Sequence, residues 1–346
     1  MGTFDPVPSS LDTVLDAGWL SRALGDRHEG CHVGSVVVRE SRSTVASKHF
    51  LEAEYRDPGE PPAPDRLCVK GYFDEAKTRA RAGESEARFY RDCSQETSAR
   101  IPACSYAALD EVSGSSVLIL EDLAASGAVL LDASEYVAPE LSAATLRQLA
   151  LRHAETWDDA RLDQPWLAPR MSSLSQSIDG DRLQELLDRP RADGLEAATR
   201  TGERVRSAMQ ALAALPEDSP RCMLHGDTHA GNVFSTPDGP GLLDWQLVQR
   251  GTWATDVAYH IGSALETDDR RSSEWDLLRY YLGCLEELGI AAPAWDSAVT
   301  AYRQHLAYGL FLWAMTQFTP EELTTITLRR LGRAVEDHAT FELLGV

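Results

Sequence analysis

The sequence predicts an α+β fold in which strands come first along the chain and helices follow. Runs rich in β-branched and aromatic residues are concentrated in the first 121 residues. They predict strands at 33–40, 49–55, 66–72, 101–109 and 115–121. From residue 142 onward, apolar residues recur at helical spacing. This pattern predicts helices near 181–188, 193–214, 274–289, 294–317 and 320–342. The length of 346 residues is enough for one large two-lobed domain or for two small ones.

The composition argues against several classes of protein. The formal net charge is −21, so nucleic-acid binding is not expected, because phosphate contacts need a basic face. No apolar run is long enough to span a bilayer, and no membrane partner is expected. Residues 1–6 lack the basic and apolar regions of a secretory signal, and we therefore expect a cytoplasmic protein. The six cysteines show no Cys-x-x-Cys spacing, which argues against a zinc site or a disulfide framework.

Three polar residues in the second half of the chain have the chemistry of a phosphoryl-transfer site. Asp227 stands five positions before Asn232, and Asp244 follows on a short apolar run. Transfer of a phosphoryl group from a nucleotide needs one carboxylate that orients the attacking hydroxyl and accepts its proton. It also needs an Asn and an Asp that hold Mg²⁺ against the phosphates. Asp227 is the candidate base, and Asn232 and Asp244 are the candidate metal ligands.

These residues belong to a longer motif that resembles a known family. The motif comprises His225-Gly226-Asp227, His229, Gly231, Asn232 and Leu243-Asp244-Trp245. It resembles the catalytic and metal-binding segments of the aminoglycoside phosphotransferase and choline kinase superfamily, and most of all those of the ecdysteroid-kinase-like small-molecule kinases. These enzymes are similar to protein kinases but carry His-Gly-Asp where protein kinases have His-Arg-Asp. A fainter resemblance extends from about Val33 to the C-terminal helices.

The resemblance implies a protein-kinase-like two-lobe fold. Residues 1–123 would form a nucleotide-binding lobe with an antiparallel sheet and a helix, and residues 124–141 would form the hinge. Residues 142–346 would form a larger, mainly helical lobe that carries the catalytic residues and binds the acceptor. The implied enzyme is a kinase that uses Mg²⁺ and either ATP or GTP to phosphorylate a hydroxyl of a small molecule.

Within the first lobe, the resemblance assigns residues that bind the nucleotide. Lys70 would contact the phosphates and Glu86 would pair with Lys70, since an unpaired lysine in a cleft is costly. The hairpin at 41–48 would cover the phosphates. It contains no glycine, so we assign this role to the small hydroxyl residues Ser43 and Thr44. The segment 117–123 resembles the kinase hinge, where backbone groups of Glu121 and Leu123 would contact the base.

Three further residues are expected to support the catalytic loop. His225 and His229 are expected to hold the loop rather than to act as acid or base. The resemblance implies that Asp256 accepts hydrogen bonds from the loop backbone, and an acid near a helix N-terminus is also favoured by the helix dipole.

Two other interpretations of the motif stay open. His225, Asp227 and His229 alternate as metal ligands do on an extended segment, so the motif also fits a metal-dependent hydrolase. A nucleotide-binding pseudokinase with a regulatory role would keep Lys70 and Glu86 but would have no need of the base.

The acceptor is open at this stage. An acidic protein attracts cationic substrates. The net charge therefore fits an aminoglycoside or another cationic antibiotic, an amino sugar or choline, and antibiotic resistance is one role that such an activity would serve. The sequence gives no indication of the oligomeric state.

Overall fold

A computed structural model describes residues 7–43, 46–73, 81, 83–216, 220–317 and 319–346. The chain divides into two compact units. The first unit is formed by 1–97, 101–129 and 243–247, and the second by 98–100, 130–242 and 248–346. None of the helices in the described part of the chain is both long and apolar enough to cross a bilayer.

The first unit is built on a five-stranded sheet. Its strands are β1 (His32–Ser43), β2 (Ser47–Asp57), β3 (Arg66–Gly71), β4 (Cys104–Leu109) and β5 (Ser116–Glu121). Their order is β1-β2-β3-β5-β4, and each neighbouring pair is antiparallel. Successive side chains of a strand point to opposite faces. Leu67 and Val69 therefore join the apolar core on one face, while Lys70 points to the other.

Short helices accompany this sheet. The helices α1 (Leu11–Val14) and α2 (Ala17–Gly25) cover the apolar face. The sequence predicts a short helical lead-in within residues 1–30, with Ser10 or Asp12 as its cap. In the structure Ser10 caps α1, and the side chain of Asp16 caps α2 by accepting a hydrogen bond from the N–H of Trp19. The helix α3 (Glu84–Arg88) continues into a π-helical turn at Phe89–Cys93. The sequence also predicts a helical stretch over 74–97, of which residues 74–80 and 82 lie outside the described residues.

The second unit is mainly helical. Its helices are α4 (Pro139–Ala154), α5 (Met171–Gln176), α6 (Gly180–Leu187), α7 (Gly202–Ala213), α8 (Ala254–Ala264), α9 (Thr267–Glu287), α10 (Trp295–Met315), α11 (Glu321–Asp337) and α12 (Thr340–Leu343). Every residue of α8 is buried, because α4, α9, α10 and α11 pack around it. The polar side chains of α8, those of Asp256 and Tyr259 among them, are therefore held from all sides.

Short strands connect these helices to the candidate site. The two-residue strand β6 (Val129–Leu130) precedes α4. The strand β7 (Arg221–Leu224) pairs antiparallel with β10 (Gln249–Thr252), and β8 (Val233–Thr236) pairs antiparallel with β9 (Gly239–Leu242). The motif 225–232 follows β7 directly and ends in a 3₁₀ turn at Ala230–Asn232.

The predicted fold class is confirmed, and two predicted helices are shorter than expected. The first unit has the antiparallel sheet with a helix, and the second has the mainly helical architecture. The helix predicted over 193–214 starts only at Gly202, because Gly194 has a positive φ of 94° and a turn precedes the helix. The helix predicted over 320–342 ends at Asp337, since Ala339 adopts the left-handed conformation.

The contact between α8 and α10 depends on a glycine. A Cβ on Gly309 would lie 2.6 Å from Cδ2 of Tyr259 and 2.9 Å from Cδ2 of Leu331. We expect Gly309→Ala to lower the free energy of unfolding by about 1–3 kcal/mol, as overpacking of a core does. Chemical denaturation measures this change.

Gly283 provides the matched control, because it lies inside α9 and a Cβ there would meet nothing within 4 Å. Gly283→Ala should raise the free energy of unfolding by about 0.5–1 kcal/mol through helix propensity alone. Equal effects of the two substitutions would contradict the tight contact between α8 and α10.

Candidate active site

A buried lysine organises the candidate site in the first unit. The Nζ of Lys70 lies 2.6 Å from Oε2 of Glu86 and 2.7 Å from Oδ1 of Asp244. The side chains of Lys70 and Glu86 are only 4% and 1% exposed. Burial by itself lowers the pKa of Lys70, but the charges of Asp244 and Glu86 outweigh burial and raise that pKa above its usual value. Lys70 is therefore a permanent cation with two carboxylate partners.

A second lysine contacts the same carboxylate. Lys48 lies on β2 directly opposite Lys70 on β3, and its Nζ is 3.2 Å from Oδ2 of Asp244. Burial raises the pKa of Asp244, but the charges and hydrogen bonds of Lys70 and Lys48 prevail and hold that pKa well below its usual range. Asp244 is therefore an ionised carboxylate with a cation on each oxygen.

The backbone around Asp244 is held by an aromatic stack. Asp244 has a positive φ of 66°, a conformation that aspartate tolerates better than most residues do. The ring of Trp245 stacks on Phe89 with centroids 3.9 Å apart. The N–H of Trp245 also donates to Oε1 of Glu86 over 3.2 Å. The position of Asp244 is therefore tied to the helix that supplies the partner of Lys70.

The predicted hinge residues have two backbone groups already in use. The N–H of Glu121 donates to the carbonyl of Ala103, and the carbonyl of Leu123 accepts from the N–H of Ala128. A nucleotide base that binds this segment would therefore use the other backbone group of each residue, the Glu121 carbonyl and the Leu123 N–H.

Of the two hydroxyl residues predicted to cover the phosphates, the structure describes only the backbone of one. Ser43 is the last residue of β1, but its side chain lies outside the described part of the structure. Thr44 lies outside the described residues altogether.

Asp227 is the central residue of the second unit's site. Its Oδ2 accepts a hydrogen bond from Nδ2 of Asn232 over 3.0 Å, and its Oδ1 accepts from the hydroxyl of Tyr259 over 3.0 Å. The hydroxyl of Tyr259 accepts in turn from Nε1 of Trp313 over 2.7 Å. The indole N–H can only donate, so the Tyr259 proton is directed at Asp227. Both carboxylate oxygens are thus oriented by donors.

Tyr259 and Trp313 were missed as functional residues by the sequence pattern. Trp313 belongs to an apolar stripe of α10 that also contains Tyr302, Leu306 and Leu310, and such a stripe indicates core packing. The one signal available was that tyrosine and tryptophan usually find a partner for their polar group when they are buried.

Asp256 anchors the backbone of the loop that follows β7. Its Oδ2 accepts from the N–H of His225 over 2.7 Å, and its Oδ1 accepts from the N–H of Gly226 over 2.9 Å. Nε2 of His153 lies 3.1 Å from the same Oδ2, and Nδ1 of His153 lies 2.7 Å from the hydroxyl of Tyr281. The buried carboxylate is therefore contacted both by the loop after β7 and by His153 of α4.

Both histidines of the motif direct one ring nitrogen at the loop. Nδ1 of His225 accepts from the N–H of Asp227 over 3.2 Å, and Nδ1 of His229 accepts from the N–H of Gly231 over 3.1 Å. Within the described ranges, no group of three or more His, Cys, Asp and Glu is placed to hold a metal ion. The two backbone contacts fit the supporting role that was expected of these rings.

The chemistry of the two predicted metal ligands fits a hard divalent cation. The amide nitrogen of Asn232 donates to the carbonyl and Oδ2 of Asp227, so the amide oxygen is the atom of Asn232 that remains for a metal. Asp244 offers an ionised carboxylate. Amide and carboxylate oxygens are ligands of Mg²⁺ and Ca²⁺.

Comparison with known proteins places the chain in a family. The sequence pattern of the phosphotransferase enzyme family matches residues 62–298, which is more than half of the chain. The protein therefore belongs to the phosphotransferase enzyme family. Its class as an enzyme, a small-molecule kinase, agrees with the sequence prediction. A comparison with curated proteins finds no match in sequence.

Solved structures of small-molecule kinases share the fold. The ethanolamine kinase of Plasmodium vivax is 11% identical, with a TM-score of 0.53 over 86% of this chain and 81% of that one. An amicoumacin kinase in complex with AMP-PNP, Ca²⁺ and its ligand is 12% identical, with a TM-score of 0.54 over 87% and 88%. The choline kinase of Cryptosporidium parvum is 9% identical, with a TM-score of 0.51 over 95% of both chains. At these identities the likeness concerns the fold alone. The nearer resemblance to ecdysteroid-kinase-like enzymes stays a prediction.

Two buried histidines predict a dependence of stability on pH. Nδ1 of His260 lies 2.9 Å from the carbonyl of Thr228, and Nδ1 of His305 lies 3.0 Å from Oγ1 of Thr255. Burial lowers the pKa of His260 to about 4 and that of His305 to about 3. In the unfolded chain both pKa values return to about 6.5, so below that pH the unfolded state binds more protons.

The free energy of unfolding should therefore fall as the pH drops from 7 to 5, by about 2 kcal/mol for each histidine. The loss should continue until the pH reaches the folded-state pKa values. His305→Asn should remove one of these contributions, which denaturation at several pH values measures. The same acid-dependent loss in wild type and His305→Asn would show that His305 is not held neutral.

Proposed function

We propose that the protein transfers the γ-phosphate of ATP or GTP to a hydroxyl group of a small molecule, with Mg²⁺ as the metal. The observation that carries this proposal is the environment of Asp227. Its two oxygens accept hydrogen bonds from Asn232 and Tyr259, which fix the plane of the carboxylate. A carboxylate oxygen has a second lone pair, so Asp227 can still accept the proton of an acceptor hydroxyl.

Each predicted residue then has one task. Lys70, paired with Glu86, binds the phosphates, and Asn232 and Asp244 hold the metal. The bound Mg²⁺ supplies positive charge that neutralises the phosphates. Asp227 orients the acceptor hydroxyl and takes its proton, while His225, His229 and Asp256 keep the loop in place. Most of the rate gain comes from positioning and electrostatics.

The nucleotide is held by the remaining residues of the first unit. Ser43 and Thr44 contact the phosphates, and the Glu121 carbonyl and the Leu123 N–H bind the base. The amicoumacin kinase that shares the fold holds AMP-PNP and Ca²⁺, which supports the use of a nucleotide with a divalent metal here.

The acceptor that we propose is a hydroxyl compound that carries an amine. The net charge of −21 favours cationic ligands, and two of the kinases that share the fold are named for ethanolamine and choline. Aminoglycosides, amino sugars and other cationic antibiotics have the same chemistry, and antibiotic resistance would be a consequence if one of them is the substrate.

The first test is Mg²⁺-dependent release of ADP or GDP across a panel of hydroxyl compounds. The panel contains aminoglycosides, macrolides, amino sugars, choline and nucleosides. One or more compounds should stimulate release by the wild type. Asp227→Asn should lower kcat by at least about a hundredfold, because it removes the base. Binding of the nucleotide should stay close to that of the wild type.

Other results of this experiment have clear meanings. Clear binding of Mg²⁺ and nucleotide without turnover of any compound would favour a binding protein of the pseudokinase kind. Stimulated release that persists in Asp227→Asn would rule out Asp227 as the base. An absence of nucleotide binding in the wild type would overturn the proposal.

Tyr259 gives a second prediction, since its hydroxyl positions Asp227. We expect Tyr259→Phe to lower kcat by about tenfold, as the loss of a hydrogen bond to a charged group does. The KM for the nucleotide should change little, because the hydroxyl of Tyr259 contacts Asp227, the proposed catalytic base. Steady-state kinetics with the acceptor found in the panel measures both values.

Tyr302→Phe is the matched control. The buried hydroxyl of Tyr302 also donates to a carboxylate, Oε2 of Glu274, over 3.0 Å. Both substitutions should lower stability by a similar amount, about 1–3 kcal/mol. Only Tyr259→Phe should change kcat. Equal kinetic effects would mean that Tyr259 acts through stability alone.

A further inference from the structure

Lysine is rare in this chain, and its positions are informative. Of the 33 basic residues, 30 are arginine and three are lysine. Two of the three, Lys48 and Lys70, contact one carboxylate, that of Asp244. The third, Lys77, lies outside the described residues. An ammonium is a compact point charge with rotatable donors, whereas a guanidinium is a planar fork. The two ammonium groups therefore act as separate point charges, one on each oxygen of the Asp244 carboxylate.

The sheet presents the two lysines side by side. Lys48 and Lys70 are opposite each other in the antiparallel pair of β2 and β3, so their side chains lie on the same face. The two lysines, Glu86 and Asp244 form a set of two cations and two anions. The formal charge of the set is zero, and each carboxylate has at least one cation.

The two lysines differ in how firmly they are held. Lys70 is 4% exposed and contacts Glu86 as well as Asp244. Lys48 is 29% exposed and contacts Asp244 over the longer distance of 3.2 Å. The ammonium group of Lys48 is thus the one that can leave Asp244 for another anion at little cost, because solvent already reaches it.

We propose that Lys48 is a second phosphate-binding residue, which neutralises Asp244 in the free protein and moves to the phosphate chain of the nucleotide when a metal binds that carboxylate. This inference rests on the proposed function. The hairpin that precedes Lys48 contains no glycine from 41 to 48, and the close approach of a backbone to phosphates usually depends on glycine. A side-chain cation replaces that approach here.

A phosphate-binding lysine at this position affects phosphate and metal binding in opposite directions. Lys48 and a divalent metal compete for the carboxylate of Asp244, whereas Lys48 and Lys70 cooperate in binding phosphate. Removal of the Lys48 charge should therefore weaken the binding of a phosphate chain and strengthen the binding of a metal alone. A substitution that only disturbed the hairpin would weaken both.

The test uses the full chain and Lys48→Met, which keeps the length of the side chain and removes the charge. Isothermal titration with magnesium tripolyphosphate measures phosphate binding without a base, so it does not depend on the choice of ATP or GTP. We expect the affinity to fall by about tenfold or more, as the loss of a charge-assisted hydrogen bond does. Titration with Mn²⁺ alone, followed by electron paramagnetic resonance, should show binding that is severalfold tighter.

Two further variants make the result specific. Arg66→Met removes one positive charge from β3, where Arg66 lies 3.2 Å from Glu52. It should leave both affinities near those of the wild type. Lys48→Arg keeps the charge and should restore most of the tripolyphosphate affinity. These results would separate the local contact from the change in net charge.

Contrary results would be equally clear. Unchanged tripolyphosphate affinity in Lys48→Met, or weaker binding of both probes, would overturn the role of Lys48 while leaving the proposed function intact. A wild type that binds neither tripolyphosphate nor a nucleotide would overturn the proposed function and this inference together.

Discussion

The buried carboxylate of Asp256 is the constraint on which the second unit depends. A fully buried anion must be satisfied by hydrogen bonds or positive charge. Asp256 accepts the N–H groups of His225 and Gly226, and Nε2 of His153 lies against it. The loop after β7, the helix α4 and the helix α8 must therefore keep their places together. The conformation of the catalytic loop follows from this one requirement.

In the first unit, the buried charge that must be stabilised is a cation. Lys70 is buried, and a buried lysine keeps its charge only where carboxylates offset the loss of hydration. Glu86 and Asp244 provide that compensation, and the stack of Trp245 on Phe89 fixes the segment that carries Asp244. The aromatic stack and the ion pairs thus hold the same segment of the chain.

Much of the fold and part of the site could be predicted from the sequence, because their signals are local. The strands of the first sheet are runs rich in β-branched and aromatic residues, and the spacing of Asp227, Asn232 and Asp244 follows the family motif. Glu86 was predicted from the partner that Lys70 needs. The structure places Glu86 in contact with Lys70. The division of the chain near residues 124–141 stays a prediction.

The remaining site residues depend on contacts that a single sequence does not reveal. Trp313 stands 54 positions after Tyr259. Helical periodicity assigns Trp313 to the core, and both residues are buried there. Lys48 was not singled out within the hairpin 41–48, since only the register of β2 against β3 places it beside Lys70. The hydroxyl of Tyr259 and the ammonium of Lys48 act through partners that are distant in the chain.

The charge pattern of the whole chain gives these local contacts their significance. A protein of net charge −21 repels a nucleotide unless positive charge is concentrated where the phosphates bind. Many of its arginines are paired with carboxylates, as Arg270 is with Glu274 and Arg271 is with Asp337. An arginine that makes two hydrogen bonds to one carboxylate loses two strong charge-assisted interactions when it moves away. The two lysines at Asp244 share a single carboxylate, so a metal that binds this carboxylate would release positive charge for the phosphates that arrive with it.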